Sequence, residues 1–205
     1  ILFDGPSRNN LLPFTYTRPV ADIRIGILTI REKWASYLGF TTTTLTEDYL
    51  SEKYPMVEMS ENVMINASYL PNSELTEMVK NLEENQAIFK GEDVIAFFSK
   101  ESQDSINFEH YEAIEFHDDL IKIEHTWDIF RKNGEALTED FELLTKGRKS
   151  QPIPSSNRVI DASNVFIEEG AKLEFAILNA STGPIYIGKD AEIMKGSIIR
   201  GPFAL

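Results

Sequence analysis

Apolar residues recur along the first two thirds of the chain in two rhythms. Over residues 23–38, Ile27, Ile30, Trp34 and Leu38 return at spacings of three and four, while Arg31 and Lys33 lie off that stripe. This period predicts an amphipathic helix, with Trp34 in the core and Gly39 as its C-cap. Short apolar or threonine-rich runs at 40–45, 62–67, 87–89 and 94–98 predict strands. The Lys90-Gly91 turn between the last two predicts a hairpin. Residues 111–116 and 120–124 flank His117-Asp118-Asp119 and predict a second hairpin, with that polar run as its tip rather than a metal site. Residues 99–107 read as a polar loop.

Helix starts follow from capping chemistry. Thr46-Glu47-Asp48 predicts one, stopped by Pro55, and another covers 73–82. A short helix from Thr126 to Asn133-Gly134 precedes one opened by Thr138 as N-cap. Trp127, Phe130, Phe141 and Leu144 read as packing residues. Strand, short loop and helix in succession predict a doubly wound, Rossmann-like α/β domain. In such sheets ligands lie at the carboxyl ends of the strands.

The tail has a different period. Ile187, Ile193, Ile199 and Leu205 are six apart, as are Ile167 and Leu173. Four positions after these aliphatics come Ala171, Ile177, Ala191, Ser197 and Phe203. This is the hexapeptide pattern of a left-handed parallel β-helix, broken across 179–185. One coil cannot bury its own face, so repeats need neighbours. The pattern runs to Leu205 in mid-repeat, which leads us to expect more coil beyond it or a covering subunit. Residues 147–158, with two prolines and three serines, read as a linker. The expected organisation is therefore an α/β domain over 1–146, a linker over 147–158 and the start of a β-helix over 159–205.

Charge narrows the function classes. Twenty Lys and Arg face 33 Asp and Glu among 205 residues, a net charge of −13. That argues against nucleic acid, which needs a basic face. A free nucleotide is different, because a few local cations and a magnesium ion can hold it. Cysteine is absent, which excludes disulfides and thiolate metal sites. No apolar run approaches the ~20 residues of a membrane span, so no membrane partner is expected and the cytoplasm is the expected compartment.

Candidate chemistry sits at the start. Leu2-Phe3-Asp4-Gly5 is followed by Pro6-Ser7-Arg8, then Leu12-Pro13-Phe14-Thr15 and Thr17-Arg18-Pro19. A strand ending in a turn presents backbone N–H groups, and with arginine nearby that geometry favours phosphate. The same residues also suit a plain surface loop with salt-bridged arginines.

The stretch resembles the opening of the sugar-1-phosphate nucleotidyltransferases. An α/β domain followed by hexapeptide repeats, in that order, resembles the bifunctional members of that family. The resemblance implies a nucleoside triphosphate, UTP or dTTP, and a sugar-1-phosphate as substrates, with pyrophosphate as the leaving group. It makes Arg8 and Arg18 the expected catalytic residues, and Gly5, Pro6, Ser7 and Asn66 the expected nucleotide-binding ones. It also implies magnesium, with Asp4, Asp22 and Asp93 as candidate ligands, and a homo-oligomer formed through the β-helix. Two positions depart from the family pattern: Val20 stands where a lysine is usual, and Ala67-Ser68 where a Gly-Asp pair is usual. They leave open a relative that binds without catalysing, or a β-helix acting as an acyltransferase platform.

Overall fold

The computed structural model describes residues 1–100 and 108–205. The loop expected at 99–107 falls largely outside the described residues. By internal contacts the chain forms two compact units, one of Ile1–Arg24 with Leu28–Ile129, the other of Ile25–Ile27 with Phe130–Leu205. The expected linker at 147–158 is not where the units divide. Among the described residues no helix is long and apolar enough to cross a membrane.

The first unit is built on β1 (Leu2–Phe3), α1 (Ile30–Leu38), β2 (Thr44–Leu45), α2 (Asp48–Ser51), β3 (Asn62–Asn66), α3 (Ser73–Lys80), β4 (Gln86–Lys90), β5 (Asp93–Ser99) and β6 (Glu112–Glu115). Its six strands form one mixed sheet in the order β2-β1-β3-β5-β4-β6. β1 pairs in parallel with both β2 and β3. β5 runs antiparallel to β3 and to β4, which confirms the first hairpin.

The helix predicted over 23–38 is shorter. α1 starts at Ile30 because Thr29 and Glu32 form a capping box: the Glu32 N–H donates to Thr29 Oγ1 at 3.2 Å and the Thr29 N–H to Glu32 Oε2 at 2.7 Å. Gly39, with φ +85°, ends it as expected. Ile30, Trp34 and Leu38 of the expected stripe lie in α1 with Ile30 and Trp34 fully buried, whereas Ile23 and Ile25 are buried without being helical. Trp34 is fully buried, and its indole N–H donates to Tyr69 O at 3.0 Å.

The second predicted hairpin does not form. β6 instead pairs in parallel with β4, and residues 120–124 contribute one isolated bridge, Lys122 to Tyr69. Alternation marks extended chain but does not name its partner.

α4 (Thr126–Arg131) and α5 (Asn133–Thr145) follow. α5 begins five residues before Thr138, whose hydroxyl bonds back to Gly134 O within the helix rather than capping it. Trp127 and Phe130 are exposed rather than part of the core.

The tail folds as a coil of parallel strands: β7 (Arg158–Ile160), β8 (Val165–Ile167), β9 (Lys172–Leu173), β10 (Ile177–Asn179), β11 (Ile185–Ile187), β12 (Glu192–Ile193), β13 (Ile198–Arg200) and β14 (Phe203–Ala204). They make three parallel sheets, β7-β10-β13, β8-β11-β14 and β9-β12. Each turn of chain adds one strand to a sheet. Ile167, Leu173, Ile187, Ile193 and Ile199 point inward as the six-residue spacing predicts, together with Leu178 and Ile185. Ile177 and Leu205 are exposed instead. The coil core extends into the 147–158 stretch, because Ile153 packs on it and the Gln151 N–H donates to Ile167 O at 2.8 Å.

On the outside of β8-β11-β14, Phe166 and Tyr186 stack with centroids 5.7 Å apart, and Arg148 lies over the Phe166 ring. Glu168 accepts from the Tyr186 hydroxyl, from Arg148 at 2.6 Å and from the Lys189 N–H at 3.1 Å. The Tyr186 hydroxyl, then Arg148, hold its carboxyl below the ordinary value of 4.5. At the corner, a methyl added to Gly201 would sit 2.0 Å from Gly183 O.

Two outcomes follow. Gly201→Ala overpacks this corner and should cost about 1–3 kcal/mol, seen by calorimetry as a lower melting temperature; an unchanged transition would show that the corner yields freely. Because the Glu168 pKa is depressed on folding, its contribution is present above 4.5 and disappears as pH falls through the folded value. Glu168→Gln should therefore destabilise the protein at neutral pH and converge with wild type once the pH has fallen below the depressed folded-state value.

Candidate active site

Four chain segments meet at one edge of the six-stranded sheet. β1, β2 and β3 run in parallel and end there, at Asp4, Thr46 and Ala67, and the antiparallel β5 starts there at Asp93. This is the edge where parallel α/β sheets hold ligands. An open pocket of about 360 Å³ lies on it, walled by residues 4–6 and Asn9 on one side and by Thr46, Glu47 and Asp48 on the other, with Arg8 and Leu45 also contributing.

Asp4 is the hub. Its Oδ1 accepts the Val20 N–H at 2.8 Å, and its Oδ2 accepts the Thr46 hydroxyl at 2.6 Å and Arg8 Nε at 3.2 Å. Burial pushes its carboxyl up, against the pull of these three donors. Arg8 is equally engaged. One of its terminal nitrogens donates to Thr15 O at 2.8 Å and to the Tyr49 hydroxyl at 2.9 Å, and the other lies 3.7 Å from Glu47. Thr15 returns a bond to Arg8 O at 2.9 Å. Arg8 therefore lines the pocket as a braced side chain, not as a free guanidinium.

The remaining expected residues are dispersed. Gly5 and Pro6 line the pocket, and Ser7 is buried beside it. Asn66 is turned inward: its Nδ2 donates to Val94 O at 3.2 Å and its Oδ1 accepts the Ser68 N–H at 3.0 Å. That amide explains Gly5, since a methyl there would come within 2.8 Å of Asn66 Oδ1. Arg18 is exposed, does not line the pocket and makes no ion pair or side-chain hydrogen bond among the described residues. Asp22 is bound to Arg31 Nε at 2.7 Å. Ala67 and Ser68 are fully buried at the end of β3, and the Ser68 hydroxyl has no partner among the described residues.

Asp93 belongs to a second cluster on the same edge. Its Oδ2 accepts the Tyr69 hydroxyl and Lys122 Nζ, both at 2.8 Å, and Lys122 also reaches Glu124 at 3.3 Å. Lys122 holds the Asp93 carboxyl low. Burial opposes the Lys122 charge, but Asp93 and Glu124 outweigh it and raise its pKa. Burial, then Asp93, push the Tyr69 hydroxyl up. Beyond Glu124, His125 and Trp127 stack with centroids 4.4 Å apart.

Among the described residues no three of His, Asp and Glu are grouped so as to hold a metal. Asp4 and Asp22 are committed to donors within the chain. A magnesium ion that arrives on phosphates needs only one or two carboxylates, and Glu47 and Asp48 are exposed on the pocket wall.

Sequence reasoning missed Thr46, Glu47, Asp48, Tyr49, Tyr69 and Lys122. The first three are legible as the residues after a strand parallel to β1, but their capping chemistry points only to a helix start. Tyr69 and Lys122 carry no motif and meet through an isolated bridge.

An open polar pocket at the carboxyl ends of parallel strands is the arrangement in which α/β proteins hold ligands, and it places the chain in the α/β class. The match to a family model narrows this: the chain belongs to the sugar nucleotidyl transferase family, whose model covers residues 1–149. No curated protein matches the chain.

The geometry separates the two arginines. Arg8→Ala leaves Asp4 without its cation in a nearly closed setting, with side-chain exposures of 11% and 4%, and should cost about 3–5 kcal/mol. Arg18→Ala should stay within about 0.5 kcal/mol of wild type. Urea unfolding measures both, and equal midpoints would refute the bracing role of Arg8.

Proposed function

We propose that this protein transfers a nucleoside monophosphate from a nucleoside triphosphate, UTP or dTTP, to a sugar-1-phosphate. The observation that carries the reading is the pocket at the carboxyl ends of β1 and β2, within a domain of the sugar nucleotidyl transferase family. An oxygen of the sugar phosphate attacks the α-phosphorus, a new P–O bond forms, and the bond to pyrophosphate breaks. Catalysis of this kind is mostly positioning and charge neutralisation.

The charge of the pocket sets a condition. Its wall carries Asp4, Glu47 and Asp48 against the single, already paired Arg8. A bare triphosphate is repelled by such a wall, so the nucleotide enters with its magnesium. Glu47 and Asp48 would hold that ion, which supplies charge neutralisation on the phosphates. Residues 5–8 shape the floor, and Arg8 positions Asp4, Thr15 and Tyr49 around it. Arg18, exposed and without a side-chain partner among the described residues, is the arginine left for a substrate phosphate. Lys122, charged and beside Asp93, supplies a second cation on the same edge. The three-sheet coil is read as the start of a left-handed β-helix, and cytoplasm is the compartment proposed.

A second reading has its own support. The braced state of Arg8 and the buried Ala67-Ser68 pair suit a relative that binds nucleotide or sugar without turning it over.

Pyrophosphate release decides between them. Wild type should release pyrophosphate with magnesium, UTP or dTTP, and one of a panel of sugar-1-phosphates. Glu47→Gln with Asp48→Asn, or Arg18→Ala, should lower the rate by on the order of a hundredfold. Nucleotide binding by calorimetry without any release would support the binding reading instead, and neither binding nor release would overturn both.

A further inference from the structure

The parallel strands β1, β2 and β3 carry the candidate active site at their carboxyl ends. Their amino ends hold a second pocket, of about 600 Å³, and the two pockets share no residue. Leu38 at the end of α1, Val63 and Ile65 of β3 and Val79 of α3 line it, so it lies between helix ends and the sheet. Met64, between the two β3 residues, joins Phe97 in a separate cluster on the opposite face of the sheet. Ile65 and Val79 are buried, whereas Phe40 and Met59, also in the lining, are 62% and 70% exposed. The floor is therefore core and the mouth is rimmed by bare apolar side chains. Protein interiors leave few voids larger than a water molecule. An apolar hollow of this volume instead falls in the range of small-molecule sites.

Charge and hydrogen bonding narrow the ligand. Glu61 and Lys80 are the charged side chains of the lining, and Lys80 is paired with Glu77 at 3.2 Å. An anionic head group thus meets one carboxylate and one lysine already engaged, and any ion loses hydration against the apolar floor. Thr42 also lines the pocket, and its hydroxyl is buried without a partner among the described residues. A buried hydroxyl left unbonded is costly, and a ligand group that meets it as the wall yields recovers that cost. We propose that this pocket binds an uncharged, largely apolar small molecule carrying a single hydroxyl or carbonyl. This is independent of the catalytic reading.

The wall that yields is the segment 56–61 at the mouth. It is held by the Thr43 hydroxyl, which donates to Val57 O at 3.3 Å, and by Asn62, which donates to Met59 O at 2.7 Å and accepts the Met59 N–H at 3.0 Å. Val57 and Met59 themselves are exposed, so movement there breaks little apolar packing.

Naphthol, naphthalene and naphthoate share one apolar body and differ in the group it carries. Each is titrated into the whole chain and followed through its amide resonances by NMR. Naphthol should shift residues 38–43 and 57–65, with a dissociation constant of about 0.1–1 mM, and leave residues 4–9 and 46–48 in place. Naphthalene should bind about five- to tenfold more weakly, because it offers the Thr42 hydroxyl nothing, and naphthoate more weakly still. Thr42→Val should remove the difference between naphthol and naphthalene and raise the melting temperature of the free protein. Val63→Phe, which fills the hollow, should abolish the naphthol shifts with an unchanged circular dichroism spectrum; Thr42→Val decides should Val63→Phe fail to fold. The proposal is overturned by no shift at about 1 mM naphthol, by shifts elsewhere on the chain, by binding that survives Val63→Phe, by a naphthol preference that survives Thr42→Val, or by naphthoate binding as tightly as naphthol.

Discussion

The candidate site depends on one buried carboxylate. Asp4 closes β1 and accepts from the Val20 amide, the Thr46 hydroxyl and Arg8 at once. These donors come from the loop after β1, from the turn after β2 and from the helical turn beyond Pro19. None of the three segments has enough regular structure to fix its own position. Without the anion their donors would be buried against nothing, which costs more than the bonds return when made. The pocket is thus the space left around an electrostatic knot, not a cavity between packed hydrophobic surfaces.

The knot also explains why the expected arginine is not free. A guanidinium has five donors in a fixed fork. Arg8 uses its fork on Asp4, Thr15 and Tyr49, and thereby holds the loop that lines the pocket. A side chain so committed contributes to chemistry by preorganisation. Arg18, by contrast, is exposed, lies outside the pocket lining and spends no side-chain donor among the described residues.

Much of this was legible in the residues, and the part that was not has a common cause. Strand–turn–helix order placed β1, β3, α3 and the β4-β5 hairpin, and the six-residue spacing placed Ile167, Leu173, Ile187, Ile193 and Ile199 inside the coil. These are local periodicities, written directly in the chain. What failed was pairing and commitment. Residues 111–116 alternate as a hairpin arm would, but β6 pairs with β4, about 25 residues earlier in the chain. Thr138 has the chemistry of an N-cap, yet α5 had already begun at Asn133, because a helix start depends on what holds the preceding turn. Asp4, Asp22 and Asp93 read alike in sequence, but their partners, Arg8, Arg31 and Lys122, lie four to 29 positions away and meet them only in space.

The distribution of charge gives the two units different tasks. The first unit carries the whole acidic excess, and Asp4, Glu47 and Asp48 line its pocket against a paired Arg8, so the wall opposes anions and favours cations. Had the 13 excess acids been spread evenly, they would have charged the coil as well; instead the second unit, with ten basic and ten acidic residues, is neutral.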